Sequence, residues 1–421
     1  MKPVSTNVLL APLRLALLLS CLSAGACGGG TAETSKPPPK KLYRFRSQPA
    51  LQYDTRAADR LPPRNQKEKL LRETVESSWQ GSQPALAADG RLDELAAWVV
   101  ENLEPGGAPP PHAALDTYAH HLGLPEPVPH MMILGLPDDA SLEEEVGAEV
   151  EKVSGFYPYT HYGAALRPVT GGSLLAVVFG WRWFEMFPVP RAVEPGASIR
   201  LQGRITHGLR EPVVAVTSPD GSTRRQPVRE GPDFEVTIPI EQSGVYRVEL
   251  LARGERGAAV LANFPVFSGV EEPSAELASP AAAPDQPPEE EEAFLARLLE
   301  LANRDRSRAG LEPLRLDPEL SRVAASHCRD MLDNGFVGHT SPSTGEAHDR
   351  VKRAGLPISV VLENIGRGYG SSEIHEGIMQ SPGHRANVLH PDVTHVGLGL
   401  VTEQEGSRQS FLVTELFIRR P

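Results

Sequence analysis

The sequence predicts a multidomain α+β protein: an N-terminal α/β domain over residues 65–190, a central antiparallel β-sandwich over 191–270 and a C-terminal α-β-α sandwich over 292–421. Three observations carry this. Between about Glu194 and Val270 apolar residues alternate with polar ones, the period of half-buried strands. From Glu292 onward the spacing changes to three and four, the period of a helix, before two apolar strands close the chain. Between these regions lie stretches rich in proline, glycine and acid, which have little to bury. At 421 residues the chain is also too long for one ordinary core.

The first residues read as an export signal over 1–26. Lys2 and Arg14 precede the apolar run Leu15–Leu19, and small residues follow at Ser23-Ala24-Gly25-Ala26. The run is too short to span a bilayer as a helix. Cys27 comes next, ahead of Gly28-Gly29-Gly30, and the arrangement resembles the bacterial lipobox, in which the cysteine is acylated and becomes the mature N-terminus. Ala24 stands where that motif usually has Leu, and Cys21 is a second candidate. The expected location is extracytoplasmic, as a membrane-anchored lipoprotein of the periplasm or cell surface, with a secreted form as the alternative. Residues 27–64, centred on Pro37-Pro38-Pro39-Lys40-Lys41, read as a flexible tether.

In the 65–190 domain the apolar run Ser173–Trp181 fits a buried strand. In the central domain, Ile199 with Leu201, Val214 with Val216, Phe234 with Val236 and Ile238, and Val245 or Tyr246 with Val248 and Leu250 mark four strands. Turn residues at Ser218–Gly221, Glu230–Asp233 and Gln242–Gly244 separate them. The phrase Ser243–Leu250 resembles the late strands of immunoglobulin-like bacterial modules. Residues 271–291 form an acidic, proline-rich linker. Beyond it, Phe294, Leu298 and Leu301 share one helical face. Leu320, Val323, Ala324, His327 and Met331 share another, and Asp317-Pro318 supplies its N-cap and first-turn proline. A third helix is expected from Ser372 to Pro382-Gly383, then strands at Val396–Leu400 and Ser410–Ile418.

Chemistry concentrates in three short motifs: GHTSP with His339, LENIG with Glu363 and SPGHRANVL with His384. Two imidazoles and a carboxylate make the smallest first shell for an open zinc site. The same three side chains also make a hydrogen-bonded network that holds a small domain together. Both readings stand on the residues alone. With Cys21 and Cys27 in the leader, Cys328 has no partner for a disulfide and reads as a small buried hydrophobe. The excess of 54 acidic over 42 basic residues excludes a phosphate-tracking surface, so nucleic acid is not an expected partner.

Asn303–Arg306, Gly310–Leu314, GHTSP, LENIG, SPGHRANVL and the strand Thr394–Leu400 together resemble the bacterial branch of the CAP superfamily, also called the SCP domain. The resemblance implies an α-β-α sandwich. In eukaryotic members a central cavity holds two His and two Glu; by motif His339 and His384 take the histidine positions and Glu363 one glutamate position. The second glutamate position falls on Ser381, so one acid is missing. A fainter echo lies upstream: Asp89–Ala97 aligns on Asp317–Ala325, Gly123–Pro125 on Gly355–Pro357 and Thr160–Gly163 on Thr394–Gly397. The N-terminal domain thus reads as a degenerate CAP-like repeat, with Met131 in the place of Glu363.

Two functions follow. The first is a non-enzymatic envelope protein whose C-terminal domain binds a small apolar ligand, a cell-wall component or an envelope protein; no serine or cysteine nucleophile is paired with a base. The second is a metal-dependent hydrolase of cell-wall or extracellular polymer, in which His339, Glu363 and His384 hold zinc. Its general base has only Glu346 and Glu415 as nearby acids.

Overall fold

In the computed structural model residues 40–420 are described, apart from 80–84, 106, 108, 128–129, 157–158, 229–230, 274–275, 281–289, 358 and 406–407. The leader with Cys21 and Cys27, and most of the acidic linker, lie outside the described residues.

The N-terminal part contains, in order, β1 (Lys40–Arg44), β2 (Gln52–Tyr53), α1 (Gln66–Ser78), β3 (Ala87–Ala88), α2 (Gly90–Asn102), α3 (His112–His121), β4 (His130–Pro137), α4 (Leu142–Phe156), β5 (His161–Val169) and β6 (Gly172–Gly180). Helix α2 starts at Asp89, whose carboxylate accepts from the Arg91 N–H. Strands order as β3-β5-β6-β4, with only the β3–β5 pair parallel. Helices α2 and α3 cover one face through Leu95, Trp98, Val99 and Tyr118, while α1 and α4 cover the other through Leu71, Val75, Val146 and Val150. Each face is sealed by apolar contact, the main favourable term in folding.

Next come β7 (Phe184–Met186), β8 (Val189–Pro190), β9 (Ala192–Val193), β10 (Ser198–Ile205), β11 (Arg210–Thr217), β12 (Thr223–Pro227), β13 (Asp233–Pro239), β14 (Gly244–Gly254) and β15 (Gly257–Ser268). One sheet orders β13-β10-β7 and the second β12-β11-β14-β15-β9. Their inward residues, Ile199, Leu201, Phe234 and Ile238 against Val214, Val216, Tyr246, Val248 and Leu250, form a single core. The alternation read from sequence is thus the pleat of two packed sheets. Tyr246 points inward and Val245 outward, 41 % exposed, which settles the register that sequence left open.

Within the segments read as tether and linker, the described residues 40–64 and 276–280 include short paired strands. Strand β16 (Glu276–Pro280) pairs antiparallel with β1, and β2 pairs with β8. Tyr43 and Tyr53 are buried. Proline fixes an extended φ compatible with short two-stranded ribbons, so the proline-rich composition did not exclude strands. The chain is engaged from residue 40, well before the expected end of the tether at residue 64.

The C-terminal part runs α5 (Glu291–Arg308), β17 (Arg315–Leu316), α6 (Pro318–Asp333), α7 (Ala347–Arg353), β18 (Val361–Gly368), α8 (Ser371–Gln380), α9 (Pro382–Val388), β19 (His395–Glu405) and β20 (Arg408–Ile418). Strands order as β17-β19-β20-β18, again with one parallel pair, β17–β19. Helices α6 and α7 pack on one face and α5, α8 and α9 on the other. Helix α8 stops at Gln380, next to Pro382-Gly383 as expected, and the same residues open α9: Ser381 is its N-cap, accepting from the His384 N–H, and Pro382 sits in the first turn. The glycines of β19 face α6. A Cβ at Gly397 would lie 2.3 Å from the Leu320 carbonyl carbon, so only glycine admits the helix at this distance.

Both α-β-α units share more than strand order. Asp89 and Asp317 cap equivalent helices, and Arg182 and Arg420 pair with those aspartates. Thr160 and Thr394 each hydrogen-bond the next histidine, His161 and His395. Gly163 meets α2 as Gly397 meets α6, and Gly123 and Gly355, with φ of 79° and 74°, end α3 and α7. The sequence echo therefore coincides with equivalent positions in two sheets of the same order and direction.

Candidate functional site

Four segments of the C-terminal domain meet at one edge of its sheet. The loop after α6 carries His339, β18 carries Glu363, α7 carries Arg350, and α9 carries His384. Glu363 points to the α6–α7 face, where His339 Nδ1–H donates to Oε1 at 2.9 Å and Arg350 Nη2 donates to Oε2 at 2.5 Å. His327 Nε2, on the buried face of α6, stands 4.0 Å from the same Oε1 and donates to the Gly338 carbonyl at 3.0 Å. Burial alone would raise the Glu363 pKa. The His339 hydrogen bond and the positive charges of His339, Arg350 and His327 outweigh it and hold the carboxyl below its usual value. Arg350 also donates to the His339 and Gly345 carbonyls, at 3.1 and 2.6 Å, so one guanidinium fixes both the loop and the acid.

On the opposite face of β18, Asn364 Nδ2 donates to Glu415 Oε2 at 3.0 Å and to the His384 carbonyl at 3.2 Å. Asn387 Nδ2 donates to the Glu363 carbonyl at 3.1 Å and to Asn364 Oδ1 at 2.9 Å. These bonds stitch α9, and with it His384, to the strand that carries Glu363. Burial, then the charges of His339 and Arg225, push the His384 imidazole far below its usual pKa, so it is neutral at pH 7. Glu415, buried with only Asn364 to offset its desolvation, is pushed up to about 7. His375, by contrast, is a buried packing residue bonded to Asp305 at 2.8 Å, and His348 is exposed. Cys328 is buried, and burial lifts its thiol to about 11, which makes it inert.

The expected zinc shell of His339, Glu363 and His384 does not fit this arrangement. Both oxygens of Glu363 are already engaged, one by His339 and one by Arg350. Among the described residues no group of three or more His, Cys, Asp or Glu side chains is placed to hold a metal ion. Glu363 instead orients His339, a role carboxylates commonly take beside a working imidazole. Sequence reasoning missed Arg350 because an arginine is not a metal ligand, so a search for ligand residue types passed over it. His327 was read as helix-face packing, and its i, i+4 spacing from Val323 to Met331 gave that reading no competitor. The two acids weighed as general bases are committed elsewhere, Glu346 to Arg253 and Glu415 to Asn364.

Strand register identifies the same positions in the N-terminal unit. Glu363 lies across from Leu416, which lies across from Gly397; Met131 lies across from Val178, which lies across from Gly163. Met131 thus occupies the place of Glu363, Met132 that of Asn364 and Val177 that of Glu415. Counting from the N-cap aspartates, Val99 replaces His327; counting back from the left-handed glycines, Tyr118 replaces Arg350. Of these five positions only the tyrosine is not wholly apolar there.

Residues 299–417 match the family model of CAP, the cysteine-rich secretory protein family. The chain is 36% identical over 121 residues to the uncharacterized protein YkwD of Bacillus subtilis (strain 168), a match covering 28% of this chain and 47% of that one. It is 34% identical over 106 residues to the uncharacterized membrane protein YlbC of the same organism, covering 25% and 30%. The match thus spans about half of the first relative's length and under a third of the second's. Among solved structures, an extracellular protein containing an SCP domain from Bacillus anthracis str. Ames aligns with a TM-score of 0.29 and 21% identity, over 57% of this chain and 86% of that one.

Proposed function

We propose that this chain is an exported, lipid-anchored envelope protein that acts by binding, through the polar surface around His339 and His384 of its CAP-matched C-terminal domain. His339, held by the buried Glu363 and Arg350, offers a partly exposed imidazole, which suits a polar cell-wall component better than a small apolar ligand. Modular layout supports this reading: an immunoglobulin-like sandwich as spacer, and a first domain that is a degenerate CAP-like copy. No helix among the described residues is long and apolar enough to cross a membrane, which leaves acylated Cys27 as the proposed anchor.

A single observation carries the reading. The N-terminal unit builds the same four-stranded sheet with Met131, Val99 and Val177 where the C-terminal unit buries Glu363, His327 and Glu415. Burying charge costs several kcal/mol unless it is fully paired, and apolar replacements are often neutral or stabilising. The fold does not need the polar set, so the set serves another purpose. Co-sedimentation of the purified chain with isolated peptidoglycan sacculi tests this. Wild-type retention, with about a tenfold loss in folded His339→Ala and His384→Ala, is expected. Equal retention of all three proteins would sink the binding role.

One feature favours a second reading, hydrolysis. A histidine oriented by a buried carboxylate is also the arrangement of a general base. Release of soluble fragments from the same sacculi, with and without added zinc, separates the two: fragments that vanish in His339→Ala mean turnover.

A further inference from the structure

The outer face of a β-sandwich normally meets water, yet part of the β11–β14–β15 face is closed. Val248 and Leu250 of β14 point into the sandwich core, so Glu249 points outward, and it is nevertheless fully buried along with its cross-strand neighbour Ala215. What covers them is the start of α9. Glu249 Oε1 accepts from Ser381 Oγ at 2.6 Å, and Oε2 accepts from the Gly383 N–H at 2.7 Å. Arg225 of β12 donates to the Gly383 carbonyl at 3.0 Å, and Asn263 of β15 donates to the Gln380 carbonyl at 3.4 Å. The turn that delivers His384 is therefore held by three strands of another domain. The approach is close: a Cβ at Gly383 would lie 2.8 Å from Glu249 Oε2.

The far end of the same β14–β15 hairpin reaches the other histidine. The Arg256 carbonyl accepts from the Thr340 N–H at 3.0 Å, and a Cβ at Gly257 would lie 2.9 Å from His339 Cβ. Arg253, just before the hairpin turn, pairs with Glu346, the N-cap of the helix that carries Arg350. One hairpin thus grips the His384 turn at its middle and the His339 loop at its tip. A buried carboxylate is a costly way to glue two domains; burial pushes Glu249 up to about 7. An acid with two directed acceptors fixes a turn in a way that apolar contact does not.

We propose that the β-sandwich completes the binding site, with Glu249 as the positioning residue that sets His384 against His339. The inference rests on the reading that these two histidines line a binding site. It also accounts for Ser381, the position at which an acid is missing: its hydroxyl is engaged by a carboxylate from the neighbouring domain.

Full-length chains carrying Glu249→Ala or Glu249→Gln test it, by hydrogen exchange of the 381–385 backbone and by co-sedimentation with peptidoglycan sacculi. The glutamine keeps an acceptor for Gly383 and offers a donor to Ser381, so it holds the turn without charge. Expected is exchange about tenfold faster in the alanine variant, with retention falling to the His384→Ala level, and near wild-type behaviour in the glutamine variant. Wild-type retention by folded Glu249→Ala overturns the proposal, and so does equal loss in both variants, which would mean that charge and not placement matters. Should the alanine variant fail to fold, Ser381→Ala removes the same bond from the other side; unchanged retention there also overturns it. If His339→Ala and His384→Ala bind as wild type, the binding role fails by itself, and the exchange rates alone then decide whether Glu249 holds the turn.

Discussion

Glu363 lives between the Arg350 guanidinium and the His339 imidazole, with the buried His327 imidazole nearby, and each partner has a different job. Arg350 satisfies one oxygen completely inside the fold, while His339, with its side chain 26 % exposed, keeps one ring edge available to solvent. Removing one member of a buried pair leaves the other uncompensated, so Arg350→Met is expected to cost about 3–5 kcal/mol in urea unfolding. Replacing the set together by its N-terminal counterparts, His327→Val, Glu363→Met and Arg350→Tyr, is expected to restore most of that loss while abolishing sacculus binding. A triple variant less stable than Arg350→Met alone would contradict the equivalence of the two sheets. Glu415 gives a pH signature. Its folded pKa, about 7, lies above its usual value, so between roughly pH 4.5 and 7 the folded chain keeps a proton that the unfolded chain has lost. Stability from this group is therefore lost as pH rises through that window. Glu415→Gln is expected to gain stability relative to wild type from pH 5 to 8, by on the order of 1–3 kcal/mol, read as a melting-temperature difference that grows and then levels. Neutral His384, with its depressed pKa, acts in the opposite sense at the acid end.

Elements sit where they do because small residues let backbones approach. Strand β19 alternates Val396, Leu398 and Leu400 toward α5 and α8 with Gly397 and Gly399 toward α6. Gly397→Ala pushes a methyl into the Leu320 backbone, so it is expected to cost at least about 1–3 kcal/mol, and Gly163→Ala, which meets Leu92 and Asp93, the same. Chemical denaturation of each variant checks this; an alanine tolerated at Gly397 would mean the helix can shift. Asp317 carries more than an ordinary cap. It accepts from the Glu319 and Leu320 N–H groups and pairs with Arg420, so Asp317→Ala is expected to lose more than the roughly 1 kcal/mol of a cap alone.

Across the described residues, the N- and C-terminal domains both contact the central sandwich, the first at Pro125 and His120 through Asn263 and the second at Ser381 and Thr340. The proposed anchor precedes all of this. Cys27→Ser is expected to move the protein from the detergent phase to the aqueous phase in a detergent partition and to remove the mass of the acyl chains; an unchanged partition would leave Cys21 or no lipid at all. Helix caps, alternating strands, the glycines of β19 and the three histidine–glutamate motifs were legible in the sequence, because each is a local pattern with one dominant physical cause. The partners of those motifs were not. Arg350 closes on Glu363 only because α7 returns beneath β18, and Glu249 reaches Ser381 across 132 residues of chain. Residue types determined by themselves that polar chemistry gathers in the last domain. Tertiary structure alone decided that the carboxylate is engaged by an arginine and a histidine, and that a second domain holds the turn before His384, because desolvation and pairing depend on what the fold brings within hydrogen-bond reach.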